Sequence, residues 1–119
     1  MLSKTAASLL MLGGQASATY LYVASYTGIV TTLNLTDSTL EEVATSSECG
    51  SSPSWLTLRD DGTLYCNDEG FATWPIGHVV SFSTNEDGSL EFLDSEDTFV
   101  GGVSSLLYGE EDNGLAVAY

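Results

Sequence analysis

Beyond its first eighteen residues the chain alternates apolar and polar positions with a period of two, in short runs broken by turn residues. Helical periodicity is almost absent there. Residues 20–26 are rich in aromatic and β-branched side chains, and Gly28 ends the run. Ile29-Val30-Thr31-Thr32-Leu33-Asn34-Leu35 alternates as a half-buried strand does. Asp37-Ser38 marks a turn into a third strand that begins Leu40-Glu41-Glu42-Val43. After the loop Cys49-Gly50-Ser51-Ser52-Pro53, a fourth strand reads Ser54-Trp55-Leu56-Thr57-Leu58. Asp60-Asp61-Gly62 is a tight-turn signal, because Asp hydrogen-bonds its own backbone and Gly tolerates positive φ.

The same order then returns. Leu21-Tyr22-Val23-Ala24-Ser25 recurs as Leu64-Tyr65-Cys66-Asn67-Asp68 and again as Leu115-Ala116-Val117-Ala118-Tyr119. Residues 70–77 form an insertion after the first strand of the second unit. Val79-Val80-Ser81-Phe82-Ser83 follows as its second strand, and Asn85-Glu86-Asp87-Gly88 turns into Ser89-Leu90-Glu91-Phe92-Leu93. Residues 101–108 match residues 51–58 position for position, and Glu110-Glu111-Asp112-Asn113-Gly114 repeats the closing turn. A period of this length fits a four-stranded propeller blade. The units run over about 20–62 and 63–114, with a third starting at 115–119. The expected class is therefore all-β, with about two blades of an incomplete β-propeller; a small β-sandwich is the alternative. On this division the last five residues are a strand without a hairpin partner, so we read the chain as the N-terminal fragment of a longer ring. Two blades leave faces and edges uncovered. Leu106, Leu107, Val117 and Tyr119 would then be apolar surface with nothing to pack on, so the isolated chain is expected to aggregate, self-associate or stay partly unfolded.

The charge narrows the partners. There are 17 Asp and Glu against 2 Lys and Arg, a net charge of −15. A duplex or an anionic bilayer repels such a surface, so neither nucleic acid nor membrane is an expected partner. The acidity reads as a solvated surface, with specific cation binding as the alternative. The single His and the lack of a Cys-x-x-Cys or His-x-His spacing leave too few ligands for a structural zinc.

The first eighteen residues read as a signal peptide. Lys4 supplies a positive start, Ala6-Ala7-Ser8-Leu9-Leu10-Met11-Leu12 is a short apolar run, and Ala16-Ser17-Ala18 is a small-x-small cleavage pattern. The run is shorter than the roughly 20 residues that span a bilayer. An N-terminal helix packed on the domain is the alternative. A mature chain of residues 19–119, secreted or at the cell surface, follows from the first reading. Asn34-Leu35-Thr36 is an N-glycosylation acceptor. Cys49 and Cys66 are either one disulfide or two buried thiols.

Leu21-Tyr22-Val23-Ala24-Ser25-Tyr26-Thr27-Gly28 resembles the opening strand of the lactonase-type seven-bladed propellers, the 6-phosphogluconolactonases and fungal 3-carboxy-cis,cis-muconate cyclases. Pro53-Ser54-Trp55-Leu56-Thr57-Leu58, Asp61-Gly62, and Leu64-Tyr65-Cys66-Asn67-Asp68-Glu69-Gly70 form the more specific match, and Asp87-Gly88-Ser89-Leu90 resembles a further turn of the family. The resemblance implies cyclisation of carboxymuconate or hydrolysis of a sugar lactone, a small anionic substrate, and no cofactor or metal. It carries over Glu69 as the one catalytic candidate, with Asp68 beside it to orient a partner. Solvated or turn-supporting carboxylates are the alternative. His78 does not match the family's catalytic His. Trp55 and Trp74 read as core and loop packing.

Local chemistry opposes catalysis by this chain alone. A polyanionic substrate needs cations, and once Lys4 is cleaved away only Arg59 remains, at the turn after Leu58 rather than near Glu69. Most catalytic residues of such a family would then lie beyond this chain. Two functional classes follow: part of a cyclase or lactonase-like enzyme, or a secreted acidic module that binds without catalysis.

Overall fold

In the computed structural model of the chain, residues 18–119 are described. Residues 1–17, which hold most of the expected signal segment, lie outside them. Among the described residues nine strands run in order: β1 (Thr19–Ser25), β2 (Ile29–Thr36), β3 (Thr39–Ser46), β4 (Pro53–Leu58), β5 (Thr63–Asp68), β6 (Ile76–Thr84), β7 (Leu90–Phe99), β8 (Ser104–Tyr108) and β9 (Gly114–Ala118), with a short 3-10 turn at Glu110–Asp112 before β9. They form three antiparallel sheets of orders β1-β2-β3, β4-β5-β6-β7 and β8-β9. We call them the first, second and third sheets. Every strand pairs with a chain neighbour, a meander rather than the Greek-key crossing of a sandwich. β4 packs between β1 and β8, so the leading strands of the sheets stand side by side.

The sheets are cut one strand away from the sequence units. Those units divided the chain after Gly62 and placed Ser54–Leu58 at the end of the first one. The structure corrects this. Gly62 N–H donates to Arg59 O at 3.0 Å and Arg59 N–H to Thr63 O at 2.9 Å, so β4 folds straight back onto β5. The crossing to a new sheet is made by residues 47–52 instead. The final strand is corrected likewise: β9 has a hairpin partner in β8, with a register from Ser104↔Ala118 to Tyr108↔Gly114.

Repetition extends to irregularities. A bulge interrupts the β2–β3 register between Thr32 and Leu33, and another interrupts β6–β7 between Ser81 and Phe82. β1–β2 pairs Leu21 with Leu33, and β5–β6 pairs Leu64 with Phe82, so the two bulges occupy the same place in each unit. The turns are held as their residues predict. Asp61 Oδ1 accepts Thr63 N–H at 2.9 Å, and Asp87 Oδ1 accepts Ser89 N–H at 3.0 Å and Ser89 Oγ–H at 2.6 Å. The backbone donor at Thr63 holds the Asp61 carboxyl below its ordinary range, and the Ser89 hydroxyl does the same for Asp87.

One dry interface holds the molecule together. Val30 from the first sheet meets Leu64, Cys66, Val80 and Phe82 from the second, with Cys49 between them and Tyr22, Leu56 and Leu90 packed around. The pleat of β5 directs Leu64 and Cys66 to this side, and the facing residues of β6, Val80 and Phe82, complete it. Phe92 meets Phe82 edge to face, with centroids 6.4 Å apart. The second and third sheets meet differently, through Trp55 Nε1–H to Ser105 O at 3.2 Å and the Thr57 and Ser105 hydroxyls at 2.9 Å. Leu106 remains 70% exposed.

Truncating Phe82 to Ala is expected to cost about 3–5 kcal/mol in urea unfolding, as for other buried aromatics. Truncating Leu106 is expected to stay within about 0.5 kcal/mol. Equal costs would contradict a single core between the first two sheets.

Candidate functional site

The loops 26–28, 47–52, 69–75 and 100–103 gather at one end of the sheets, around the end of β5. Residues alternate along β5, so Asp68 arrives on the same side as Leu64 and Cys66 and is 2% exposed. A carboxylate buried this way needs donors. Asp68 Oδ1 accepts Ser52 N–H at 2.9 Å and Gly70 N–H at 3.2 Å, and Oδ2 lies 3.2 Å from His78 Nδ1. The other His78 nitrogen, Nε2, is 3.6 Å from Asp97 Oδ1. Gly50 has φ +132°, and a Cβ there would run into the Asp68 carboxylate. Cys49 and Cys66 are joined in a disulfide with Cα atoms 6.0 Å apart, tying segment 47–52 to β5.

Glu69, 4% exposed, is the knot among these loops. Its N–H donates to Ser52 O at 3.0 Å, and its C=O accepts Gly101 N–H at 2.8 Å. Its Oε1 accepts the Tyr26 hydroxyl at 2.5 Å. One residue therefore engages three other loops. The two carboxylates are buried and partnered rather than solvated, so the solvated alternative is set aside. What the arrangement does chemically is rigidify: Asp68 is held by two backbone donors and the imidazole of His78, and Glu69 keeps a hydrogen-bonded carboxylate facing the first sheet.

Tyr26 was not singled out from sequence, although a signal was present. It stands 43 residues before Glu69, one repeat earlier, so the bond joins equivalent positions of successive units. The hydrogen bond to Glu69 raises the Tyr26 phenol above its ordinary value, with burial and the Glu69 charge adding to it.

Other candidates fall elsewhere. Arg59, the one Lys or Arg among the described residues, lies at the opposite end, 3.6 Å from Asp61 and within 3.4 Å of Glu111 O and 3.3 Å of Asn113 Oδ1. It does not reach Glu69. Asn34 lies within β2, half-buried with its Oδ1 enclosed, rather than in a surface loop. Trp55 bridges two sheets at their edge. Trp74 does not pack as expected: it is 72% exposed at the tip of loop 69–75, because that loop closes by its own hydrogen bonds and gives the ring no wall. Among the described residues no three His, Cys, Asp or Glu side chains form a metal site.

Residues 11–119 match the family described as lactonase, 7-bladed β-propeller. The chain belongs to the lactonase family. A solved lactonase-like structure, a putative 6-phosphogluconolactonase from Bacteroides fragilis NCTC 9343, superposes with a TM-score of 0.66 at 22% identity over 86% of this chain. At that identity the likeness establishes the fold. The chain spans 28% of that protein's length. No match to a curated protein was found.

The Tyr26 phenol is expected to ionise above the ordinary value of about 10 in an ultraviolet pH titration, and Glu69→Ala to bring it down toward that value. A raised folded-state value favours the protonated form. The contribution of this bond to stability is thus complete below the unfolded value and lost as pH rises through the folded one. A titration curve unchanged by Glu69→Ala would contradict the bond.

Proposed function

We propose that this chain is a scaffold portion of a lactonase-type propeller, secreted after removal of residues 1–18, whose longer relatives act on a small anionic lactone or on carboxymuconate. Glu69 is the residue proposed to face that substrate, with Tyr26 and Asp68 holding it in place. The family match and the convergence of four loops on Glu69 support this reading, since binding groups in such folds sit on loops carried by rigid strands. The observation that carries the rest is the placement of charge: Asp68 and Glu69 stand at one end, while Arg59, the one Lys or Arg among the described residues, is at the other.

A phosphorylated or polycarboxylate substrate placed beside Asp68 and Glu69 meets like charge without a compensating cation. The 119-residue chain is therefore proposed to hold the family's fold without its turnover. The apolar side chains left on the outer sheet faces, among them Leu21, Val23 and Leu106, are proposed to drive self-association.

The test is to incubate the purified chain with 3-carboxymuconate, 6-phosphogluconolactone or gluconolactone while its sedimentation velocity is measured. We expect no turnover above buffer and a concentration-dependent species larger than a monomer. Turnover that disappears in Glu69→Gln would overturn the scaffold reading, and a monomer at all concentrations would overturn the association.

A further inference from the structure

We propose that the end of the molecule formed by loops 26–28, 69–75 and 100–103 seats on a zwitterionic lipid surface, with the rings of Phe71 and Trp74 entering its headgroup layer. The proposal goes beyond lactone chemistry and does not rest on the role assigned to Glu69. It starts from a polarity between the two ends of the sheets. The chain runs up and down from β1 to β9, so successive connections fall at alternate ends. Turns 37–38, 59–62, 85–89 and 109–113 share one end, where they hold eight Asp and Glu residues, Arg59 and no apolar side chain. At the other end, loops 26–28, 47–52, 69–75 and 100–103 hold only Glu48, which is exposed, and Glu69, which is buried against Tyr26. Asp97, near this end on β7, lies 3.6 Å from His78 Nε2.

The aromatics gather where the charge is sparse. Tyr26, Phe71, Trp74 and Phe99 are each more than half exposed at this end. Their supports are held firmly. Thr73 N–H donates to Gly70 O at 3.0 Å, Ile76 N–H to Thr73 O at 3.1 Å, and Thr73 Oγ–H to Ile76 O at 2.6 Å. Val100 N–H donates to Pro75 O at 3.2 Å and fixes loop 69–75 to the segment after β7. The Phe99 ring meets Tyr119 edge-on, with centroids 6.1 Å apart, and Glu69 accepts the Tyr26 hydroxyl. Large aromatics fixed in water, outside the core, mark a contact surface.

Charge, shape and composition together select lipid as the occupant. Carboxylates are costly to take out of water, so the acidic end stays solvated and this end is the one that can enter a poorly polar medium. The rings stand on separate loops, and neither Phe71 nor Trp74 lines the cleft of about 310 Å³ between segment 47–52 and loop 69–75. They project as knobs. A protein partner needs a matched pocket for each knob, whereas fluid lipid closes around any of them. Trp and Tyr also carry a polar tip on an apolar body, the combination that rests at the level of lipid headgroups. The net charge of −15 then chooses the lipid: anionic headgroups repel the chain, and phosphatidylcholine, which has no net charge, does not.

The test mixes the full chain with vesicles of phosphatidylcholine brominated along its acyl chains, which quench a tryptophan that reaches them. Trp55 and Trp74 are the two emitters. The expected result is quenched emission in the native chain and no quenching in Trp74→Phe, where Trp55 alone emits. Flotation with unbrominated vesicles is expected to show partitioning about tenfold weaker in the double variant Phe71→Ser/Trp74→Ser. Leu40→Ser, which removes an exposed apolar side chain at the acidic end, is expected to change it by less than about twofold. Phosphatidylserine added to the vesicles is expected to lower partitioning. The replaced side chains are exposed, so their loss leaves the fold intact, as far-ultraviolet circular dichroism checks. Quenching that persists in Trp74→Phe, equal weakening by Leu40→Ser, no weakening by the double variant, or tighter binding to phosphatidylserine would overturn the proposal. So would an absence of quenching; if the double variant also abolished a larger sedimenting species, this end would belong to a second copy of the chain instead.

Discussion

Two consecutive carboxylates, Asp68 and Glu69, are withdrawn from water at the end of β5, and the surrounding loops are arranged to make that tolerable. An ionised carboxylate in such a setting is strongly destabilising unless donors reach it. Asp68 collects backbone N–H groups from Ser52 and Gly70 and the imidazole of His78. Glu69 takes the Tyr26 hydroxyl, and its own backbone spans from Ser52 to Gly101. These requirements explain the small residues nearby, since Gly50 leaves space for the Asp68 carboxylate and Gly70 passes close to Ile76. They explain the position of the disulfide as well, because Cys66 precedes Asp68 by two residues and Cys49 lies in the segment that supplies Ser52.

Below this end the molecule is uneven. The first and second sheets share a dry core around Phe82, while the second and third meet through the Trp55, Thr57 and Ser105 hydrogen bonds. Hydrophobic burial is proportional to the apolar area removed from water, so the first contact is the stronger of the two. Loop 69–75 grows from the strongly held sheet. That is why exposed Phe71 and Trp74 can stay in fixed positions without a core of their own.

Much of the fold was legible because strand, turn and repeat are local signals. Alternation marked β2 and β6, and Asp-Gly pairs marked the turns that Asp61 and Asp87 stabilise. The phase of the sheets was not legible from periodicity, because a repeat looks the same wherever it is cut. The deciding information was the tightness of Asp60-Asp61-Gly62, which obliges β4 to pair with β5. At the site, Glu69 could be marked by its place at a strand end, whereas its bond to Tyr26 became visible only once the units were stacked. The approach of His78 to Asp68 depends on the β5–β6 register, which pairs these two residues directly. The exposure of Trp74 could not be read from residue type, since an aromatic in a loop is compatible with either surface or packing.

Native-state hydrogen exchange tests most directly the claim that Asp68 and Glu69 lock this end of the molecule. The amides of Ser52, Glu69, Gly70 and Gly101 belong to loops or strand ends, where exchange is ordinarily fast. The account predicts that they exchange as slowly as amides of β5 and β6, and far more slowly than those of Asp112 and Asn113 in the turn before β9. Exchange of all these loop amides at the rate of the Asp112–Asn113 turn would contradict it.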